Sequence, residues 1–171
     1  GEGVRHATPV HDRYVARVLA DAPGSGGMRV AWDPGNGATG TILSDVIAGL
    51  PGEHHVINGE VDGRFPAHHP DPTVPENLEQ LVATVRERGC DLGFAFDGDG
   101  DRLGVVDRHG RILWGDEIML LIARDILAHQ PGVPIIADVK ASKVLFDGIA
   151  DAGGDPAMGR TGHSLVKAEM R

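Results

Sequence analysis

The sequence has little of several features, and each shortage excludes a class of protein. Its one cysteine, Cys90, cannot form an internal disulfide, so we expect a reducing, cytoplasmic location. No apolar run approaches the ~18 residues that a membrane span requires, and the longest lies around Ile118–Ala123. Two Trp, one Tyr and four Phe are too few to build base-stacking surfaces.

Positive charge is also scarce. The 16 Lys and Arg residues stand against 25 Asp and Glu residues, and the formal net charge is −9. Nucleic acids and anionic membranes both need a basic protein surface, because cations must meet their phosphate groups. The composition therefore predicts a protein with no nucleic-acid partner and no membrane partner.

The two ends of the chain lack features of a complete protein. The sequence begins at Gly1, and its first methionine is Met28. Gly1–Arg5 leads into a polar segment without the apolar stretch of a secretion signal. Arg171 falls inside a predicted helix, so we expect this chain to be a piece of a longer protein.

Glycine and proline, with 25 and 11 residues, separate apolar segments that alternate between strand and helix patterns. The alternation occurs twice, which predicts an α/β protein with two consecutive units, residues 1–110 and residues 111–171, the second cut short. The strands are predicted at Met28–Asp33, His54–Ile57, Asp91–Phe96, Leu103–Asp107, Pro134–Asp138 and Pro156–Met158.

The segments between strands carry helix signals and one long loop. Residues 58–75 have no periodic pattern, and long loops of this kind are usually functional or mobile. Thr73 and Glu76 have the spacing of a capping box, which predicts the start of a helix that Gly89 ends. Asp116 and Ser142 are predicted to cap two later helices.

The strongest candidate site is the stretch DGDGDR at residues 97–102, directly after a predicted strand. Carboxylates at every second position can surround one hard divalent cation, and the glycines allow the tight curvature that this requires. Without a cation, carboxylates this close repel one another. The stretch therefore predicts a Mg²⁺ site formed by Asp97, Asp99 and Asp101. Arg102 beside it can bind a phosphate or hydroxyl group, which points to phosphoryl chemistry.

Two other interpretations of this stretch are weaker. An EF-hand calcium loop needs glycine after its third acidic position and glutamate at its twelfth, where this chain has Arg102 and Arg108. A plain acidic turn between two strands is common. Such a turn requires neither the third aspartate nor the adjacent arginine.

A second glycine-rich stretch, residues 35–40, matches G-x-G-x-x-G between a predicted strand and a predicted helix, and Glu60 follows twenty residues later. This pattern is typical of dinucleotide-binding domains. However, Pro34 places a turn between the strand and the glycines, and Glu60 lies beyond the second strand. A closely packed strand-to-helix turn is the favoured interpretation, with a dinucleotide-binding domain as an alternative.

Two residues of the second unit are candidates for ligand contacts. Lys140 follows the strand Pro134–Asp138, at the carboxyl end where open α/β sheets bind ligands. His163 lies at a predicted helix start near Arg160, where free backbone N–H groups favour an anion. Either residue alone would be an ordinary surface side chain, but together with the acidic loop they indicate a phosphate ligand.

These stretches together resemble the α-D-phosphohexomutase superfamily, most closely its bacterial phosphomannomutase/phosphoglucomutase branch. The resemblance covers essentially the whole chain. The DGDGDR loop is highly specific for the superfamily, and HHPDP and TGHSLVK narrow it to the branch. The matching stretches are DPGNGATG (33–40), EVDGRFPAHHPDPTVPENLEQL (60–81), DLGFAFDGDGDRLGVVD (91–107), GDEIMLLIARDIL (115–127), IIADVKAS (135–142) and RTGHSLVKAEM (160–170).

The resemblance implies a four-domain enzyme built from mixed-sheet α/β units, with this chain similar to the second domain and the first half of the third. Members of the family interconvert the 1- and 6-phosphates of mannose or glucose. A phosphoserine on the first domain donates its phosphoryl group, a hexose 1,6-bisphosphate forms and reorients, and the other phosphate returns to the serine. The implied partners are a phosphohexose substrate and the missing domains of the parent chain.

The resemblance also assigns roles by position. The three aspartates of the acidic loop match the Mg²⁺ ligands, and Arg102 matches the arginine beside the phosphoserine and the sugar. Lys140 and His163 match substrate-contacting residues, which are candidates for proton transfer or for stabilising charge on the moving phosphoryl group.

This chain departs from the family pattern in several places. It contains neither the T-x-S-H-N-P serine loop nor the G-E-x-S-G-H sugar loop, and Arg160 replaces a lysine that is common before T-G-H. We therefore expect the isolated chain to be inactive, and the loop that would set a preference for mannose or glucose lies outside this sequence. A non-catalytic module that binds metal or sugar phosphate with the same fold is an alternative function.

Overall fold

The computed structural model describes residues 3–4, 6–22, 24 and 26–170, so both chain ends named above lie outside the described residues. The chain divides into two compact units, the first ending at Ile112 and the second beginning at Leu113. Strands and helices alternate in each unit, which confirms the predicted α/β class. In the described ranges, no helix is both long enough and apolar enough to cross a membrane.

The first unit is organised around a mixed sheet. Its elements are α1 (His11–Leu19), β1 (Met28–Asp33), α2 (Gly40–Ala48), β2 (Gly52–Val56), α3 (Glu79–Arg88), β3 (Leu92–Phe96) and β4 (Leu103–Asp107), followed by the two-residue strand β5 (Ile112–Leu113) at the unit boundary. The strand order is β2-β1-β3-β4-β5. Strand β1 is parallel to β2 and to β3, whereas β3 and β4 form an antiparallel hairpin. The parallel pairs need crossover connections, which the helices provide.

The core of the first unit lies between α3 and the sheet. Leu81 and Val85, one turn apart on α3, pack with Ala31 of β1, Ala95 of β3 and Val106 of β4. All five side chains are at most 2% exposed. Burying each Leu or Val stabilises the fold by about 1.5–3 kcal/mol, so α3 holds together the strands that carry the candidate site.

The predicted capping box at Thr73 and Glu76 is wrong. The Thr73 hydroxyl and N–H both donate to Asp71 Oδ1, at 2.7 and 3.0 Å, because that carboxylate lies only two residues away. A 3₁₀ turn, Pro75–Leu78, then leads into α3. Gly89 ends α3 as predicted, with a φ of 61° that glycine adopts without steric cost.

The second unit has the same alternation on a smaller scale. Its elements are α4 (Gly115–His129), β6 (Pro134–Asp138), α5 (Lys143–Asp151), β7 (Asp155–Gly159) and α6 (His163–Glu169). Strands β6 and β7 are parallel. Its core is formed by buried residues of α4, β6 and α5, namely Ala123, Leu127, Ala137, Leu145 and Ile149.

One of the two predicted caps in this unit is correct. Ser142 caps α5, and its Oγ accepts the Val144 N–H at 3.2 Å. The predicted cap Asp116 is wrong, because α4 begins one residue before it and Glu117 Oε2 accepts the Trp114 N–H at 3.0 Å. The Asp116 carboxylate instead accepts the Ser142 N–H at 2.7 Å, so it joins the starts of α4 and α5.

Candidate functional site

The acidic loop, residues 97–102, connects the antiparallel strands β3 and β4. Gly100 lies at its bend with a φ of 79°, and its N–H donates to the Asp97 carbonyl at 3.2 Å. The bend brings one carboxylate oxygen from each of Asp97, Asp99 and Asp101 within 4.8 Å of the others. Oxygen-only donors at this spacing fit a hard divalent cation.

Electrostatics within the loop also favours a cation. The negative charge of Asp99, together with the hydrogen bond and charge of Asp97, raises the pKa of Asp101. Burial would raise the pKa of Asp97, but hydrogen bonds from Arg102 outweigh it and hold that pKa below its ordinary value. A cation between the carboxylates would offset the repulsion that raises the pKa of Asp101.

Arg102 lies at the end of the loop and is held by two carboxylates. Its N–H and Nε donate to Asp97 Oδ1 and Oδ2 at 3.1 and 2.7 Å, and its Nη1 donates to Asp71 Oδ1 at 3.0 Å. The bond to Asp97 is the largest cause of a raised Arg102 pKa. Half of the side chain, 49%, stays exposed and accessible to a ligand.

Asp71 is a residue of this site that sequence reasoning missed. It lies in the long loop, 31 residues before Arg102. Hydrogen bonds from Thr73 are the largest cause of a lowered Asp71 pKa. The Asp71 carboxyl is therefore charged when it accepts the hydrogen bond from Arg102. The only signal in the sequence for a role of Asp71 was its place in the HHPDP stretch, since no local spacing connects it to Arg102.

The glycine-rich turn, residues 35–40, packs directly against the acidic loop. The Ala38 N–H donates to the Gly98 carbonyl at 2.9 Å, and a Cβ on Gly37 would lie 2.8 Å from that oxygen. Glu60 contacts the turn through its backbone carbonyl, which accepts Asn36 Nδ2 at 2.8 Å. The first N–H groups of α2 bond to carbonyls of the turn. A dinucleotide's pyrophosphate would need those same N–H groups as hydrogen-bond donors. Because carbonyls of the turn already accept from them, the structure fits the interpretation of residues 35–40 as a closely packed turn.

An apolar cavity of about 500 Å³ adjoins the acidic loop in the first unit. Its wall is mainly aliphatic and aromatic, including Trp32 and Phe96, with Asp21 and Asp99 among the polar residues. No cationic side chain of the described residues lines it, so a phosphate would have no counter-charge there. We therefore place the candidate site on the acidic loop and Arg102.

In the second unit, Lys140 lies on the loop that follows β6, and His163 is the first residue of α6, after the loop that follows the neighbouring parallel strand β7. Asp138 joins these loops, because it accepts the Lys140 N–H at 2.7 Å and the Thr161 hydroxyl at 3.1 Å. The Lys140 N–H is the main cause of a lowered Asp138 pKa. Lys140 and His163 are both exposed, so the structure brings two predicted residues to one accessible edge of this unit.

Two family models match the chain. The model described as phosphoglucomutase/phosphomannomutase, alpha/beta/alpha domain II, matches residues 12–110, and the model for domain III of the same family matches residues 114–171. The chain belongs to the phosphoglucomutase/phosphomannomutase family. This finding confirms the resemblance seen in the sequence motifs.

Individual relatives agree with the family models. The phosphomannomutase/phosphoglucomutase of Pseudomonas putida is 46% identical over 160 residues, which cover 94% of this chain and 35% of the relative. The protein of the same name from Pseudomonas aeruginosa strain PAO1 is 43% identical over 171 residues, which cover 100% of this chain and 37% of the relative. The chain thus spans little more than a third of the length of these relatives.

Solved structures show the same fold. A phosphoglucomutase/phosphomannomutase family protein from Burkholderia thailandensis matches with a TM-score of 0.88 and 42% identity, over 95% of this chain and 35% of that protein. The mixed-sheet architecture of the phosphohexomutase type, expected from the sequence, is therefore confirmed.

Proposed function

We propose that this chain is part of a Mg²⁺-dependent phosphohexomutase that interconverts hexose 1-phosphate and hexose 6-phosphate, with mannose or glucose as the sugar. The observation that carries the proposal is the acidic loop, which places three carboxylate oxygens within 4.8 Å beside an exposed arginine in a chain of this family. N-acetylphosphoglucosamine mutase from Aspergillus fumigatus, with a TM-score of 0.63 and 20% identity, has the same fold and crystallised with GlcNAc-6P and magnesium.

Each candidate residue has a role in this proposal. The three aspartates of the acidic loop hold Mg²⁺, which supplies positive charge against the charge of the transferring phosphoryl group. Arg102 binds phosphate oxygens through the exposed part of its guanidinium. Lys140 and His163 contact the sugar phosphate, where they stabilise phosphate charge or move the proton of the reacting hydroxyl.

The proposed reaction moves one phosphoryl group from the protein to the sugar and another back. A phosphoserine outside this chain transfers its phosphoryl group to the free hydroxyl of the hexose monophosphate, and that hydroxyl gives up its proton. The resulting hexose 1,6-bisphosphate reorients and returns its other phosphoryl group to the serine. We assign residues 1–110 to the second domain of this enzyme and residues 111–171 to part of its third.

The proposal includes a cytoplasmic location. Hexose phosphates are intermediates of carbohydrate metabolism, and Cys90 is a buried, unpaired thiol that a reducing compartment preserves.

Calorimetric titration and a coupled turnover assay test the proposal together. The isolated chain should bind Mg²⁺ and glucose 1,6-bisphosphate, but it should form no hexose 6-phosphate from mannose 1-phosphate or glucose 1-phosphate because it contains no serine loop. A chain that does not bind Mg²⁺, or one that does not bind glucose 1,6-bisphosphate, contradicts the proposal. Sustained turnover by the isolated chain contradicts the role of the serine. Binding without turnover in a longer chain that contains the serine loop would favour the non-catalytic alternative.

A further inference from the structure

The Arg102 guanidinium is held at two of its three nitrogens. Its Nε and Nη1 donate to Asp97 and Asp71, whereas Nη2 has no hydrogen-bond partner among the described residues. A guanidinium carries five N–H donors in a planar fork. Its Nη2 N–H groups therefore have no acceptor among the described residues and are available to the oxygens of a phosphate.

Asp71 is oriented by contacts of its own. Its Oδ1 accepts the Thr73 N–H and the Thr73 hydroxyl at 3.0 and 2.7 Å, in addition to Arg102 Nη1. Its backbone carbonyl accepts Asn77 Nδ2 at 3.0 Å. The side chain is only 22% exposed. The carboxylate is thus fixed by its own loop, and the cost in conformational entropy of pairing it with Arg102 is small.

The prolines on either side of Asp71 pack against the hairpin that carries the acidic loop. A Cβ on Gly98 would lie 3.5 Å from Pro70 Cγ, and a Cβ on Gly104 would lie 2.8 Å from Pro72 Cβ. Both prolines are buried. Because the prolines contact both sides of the acidic loop, the residue between them is held opposite Arg102.

We propose that Asp71 is a positioning residue, which keeps Nη2 of Arg102 in place to donate to the substrate phosphate; this inference rests on the proposed function. Both oxygens of Asp97 accept hydrogen bonds from Arg102, yet Asp97 is also assigned to Mg²⁺. A carboxylate oxygen shared with a cation attracts the guanidinium less strongly. Asp71 lies outside the carboxylate cluster, so it continues to hold Nη1 when the cation is bound.

The test compares phosphate binding with Mg²⁺ binding in this chain. The NMR signal of Arg102 Nε–H reports inorganic phosphate at saturating Mg²⁺, and calorimetry reports Mg²⁺. We expect Asp71→Asn to weaken phosphate binding about three- to tenfold, the effect of one charge-assisted hydrogen bond at a half-exposed group, and to change Mg²⁺ affinity less than about twofold. Asp71→Glu should recover part of the phosphate affinity, since it restores the charge.

Asp62→Asn is the matched control, because Asp62 pairs with Arg64 in the same long loop and should leave both affinities unchanged. Equal phosphate affinity in the wild type and Asp71→Asn overturns the inference. A parallel loss of Mg²⁺ and phosphate binding also overturns it, since Asp71 would then only support the loop.

The remaining outcomes are equally decisive. If Asp71→Asn does not fold, Thr73→Val replaces it in the test, because it removes one hydrogen bond that orients Asp71. Thr73→Val should then weaken phosphate binding. Equal phosphate affinity in Thr73→Val and the wild type overturns the inference. A wild-type chain that binds Mg²⁺ while Arg102 does not respond to phosphate overturns the inference and leaves the metal site standing. A wild-type chain that binds neither ligand overturns the proposed function, and the inference with it.

Discussion

The Thr161 hydroxyl donates a hydrogen bond to Asp138 Oδ2 at 3.1 Å, and this contact joins the loop that leads into α6, where His163 lies, to the end of β6, next to the loop that carries Lys140. Asp138 is the last residue of β6, and its Oδ1 accepts the Lys140 N–H at 2.7 Å. His163 follows Thr161 by two residues. Because β6 and β7 are parallel, both loops leave the sheet at the same edge, where one carboxylate sets their positions.

The first unit contains the same arrangement. Asp33 is the last residue of β1, and its Oδ1 accepts the Gly35 N–H at 2.9 Å and Asn58 Nδ2 at 3.0 Å. Asn58 lies in the loop after β2, the strand parallel to β1. A strand-end aspartate therefore joins two neighbouring loops in each unit.

Removal of the Asp138 carboxylate is expected to loosen its loops. In Asp138→Ala the Lys140 amide loses its acceptor, so its hydrogen exchange becomes faster, while the Leu127 amide in the core keeps its rate. Thr161→Val should have a smaller effect, and Thr161→Ser, which keeps the hydroxyl, should have none. Exchange measured by NMR checks all three variants. Unchanged Lys140 exchange in Asp138→Ala would show that the carboxylate does not organise the loop.

Metal affinity should depend on the acidic loop and not on net charge. We expect Asp99→Asn to weaken Mg²⁺ binding by roughly tenfold or more, because one charged oxygen ligand is lost. Asp45→Asn removes the same charge from α2, where Asp45 pairs with His11, and should leave the affinity unchanged. Calorimetry with Mg²⁺ or Mn²⁺ gives both values. Equal losses in the two variants would show that binding follows overall charge.

Close packing of the glycine-rich turn should be necessary for metal binding. A Cβ at Gly37 would lie 2.8 Å from the carbonyl oxygen of Gly98 and 3.1 Å from that of Asp97, and backbone atoms cannot rotate away. We expect Gly37→Ala to displace the acidic loop, to cost about 1–3 kcal/mol of stability and to weaken Mg²⁺ binding.

Gly63→Ala is the matched control for this substitution, because no atom lies within 4 Å of the added Cβ. Thermal unfolding and calorimetry should show no change for it. A Gly37→Ala chain that binds Mg²⁺ as tightly as the wild type would contradict the packing argument.

Asp107 should contribute a pH-dependent part of the stability. The Arg111 N–H, followed by the His109 N–H and the Arg111 side chain, holds the pKa of Asp107 below its ordinary value of 3.8, against the opposing effect of burial. A lowered folded-state pKa gives a stabilisation that is complete above the ordinary value and is lost as the pH falls through the folded-state value. Asp107→Asn removes this titration.

The unfolding free energy of Asp107→Asn should therefore change less than that of the wild type between about pH 5 and about pH 2. Urea unfolding at several pH values measures both. If the two chains lose stability in parallel across this range, Asp107 is not a source of the acid sensitivity.

Local pattern was sufficient for most elements and for the Ser142 cap, but not for two other predicted helix starts. Strands β1 and β6 have their predicted bounds, because an apolar run between glycine, proline and polar residues is a local signal. Thr73 and Asp116 fail as predicted caps for a different reason. A short polar side chain bonds to the nearest available group, and for Asp116 that group is the Ser142 N–H, 26 residues away in sequence.

The sequence by itself determined the family, the alternation of strands and helices, and the acidic loop, because three aspartates and two glycines within six residues converge through local backbone curvature alone. Only the tertiary structure decided which side chains hold the candidate residues in place. Asp71 meets Arg102 across 31 residues, and Asp138 meets Thr161 across 23. Such pairs depend on how strands pair and loops pack against them, and no spacing along the chain records that.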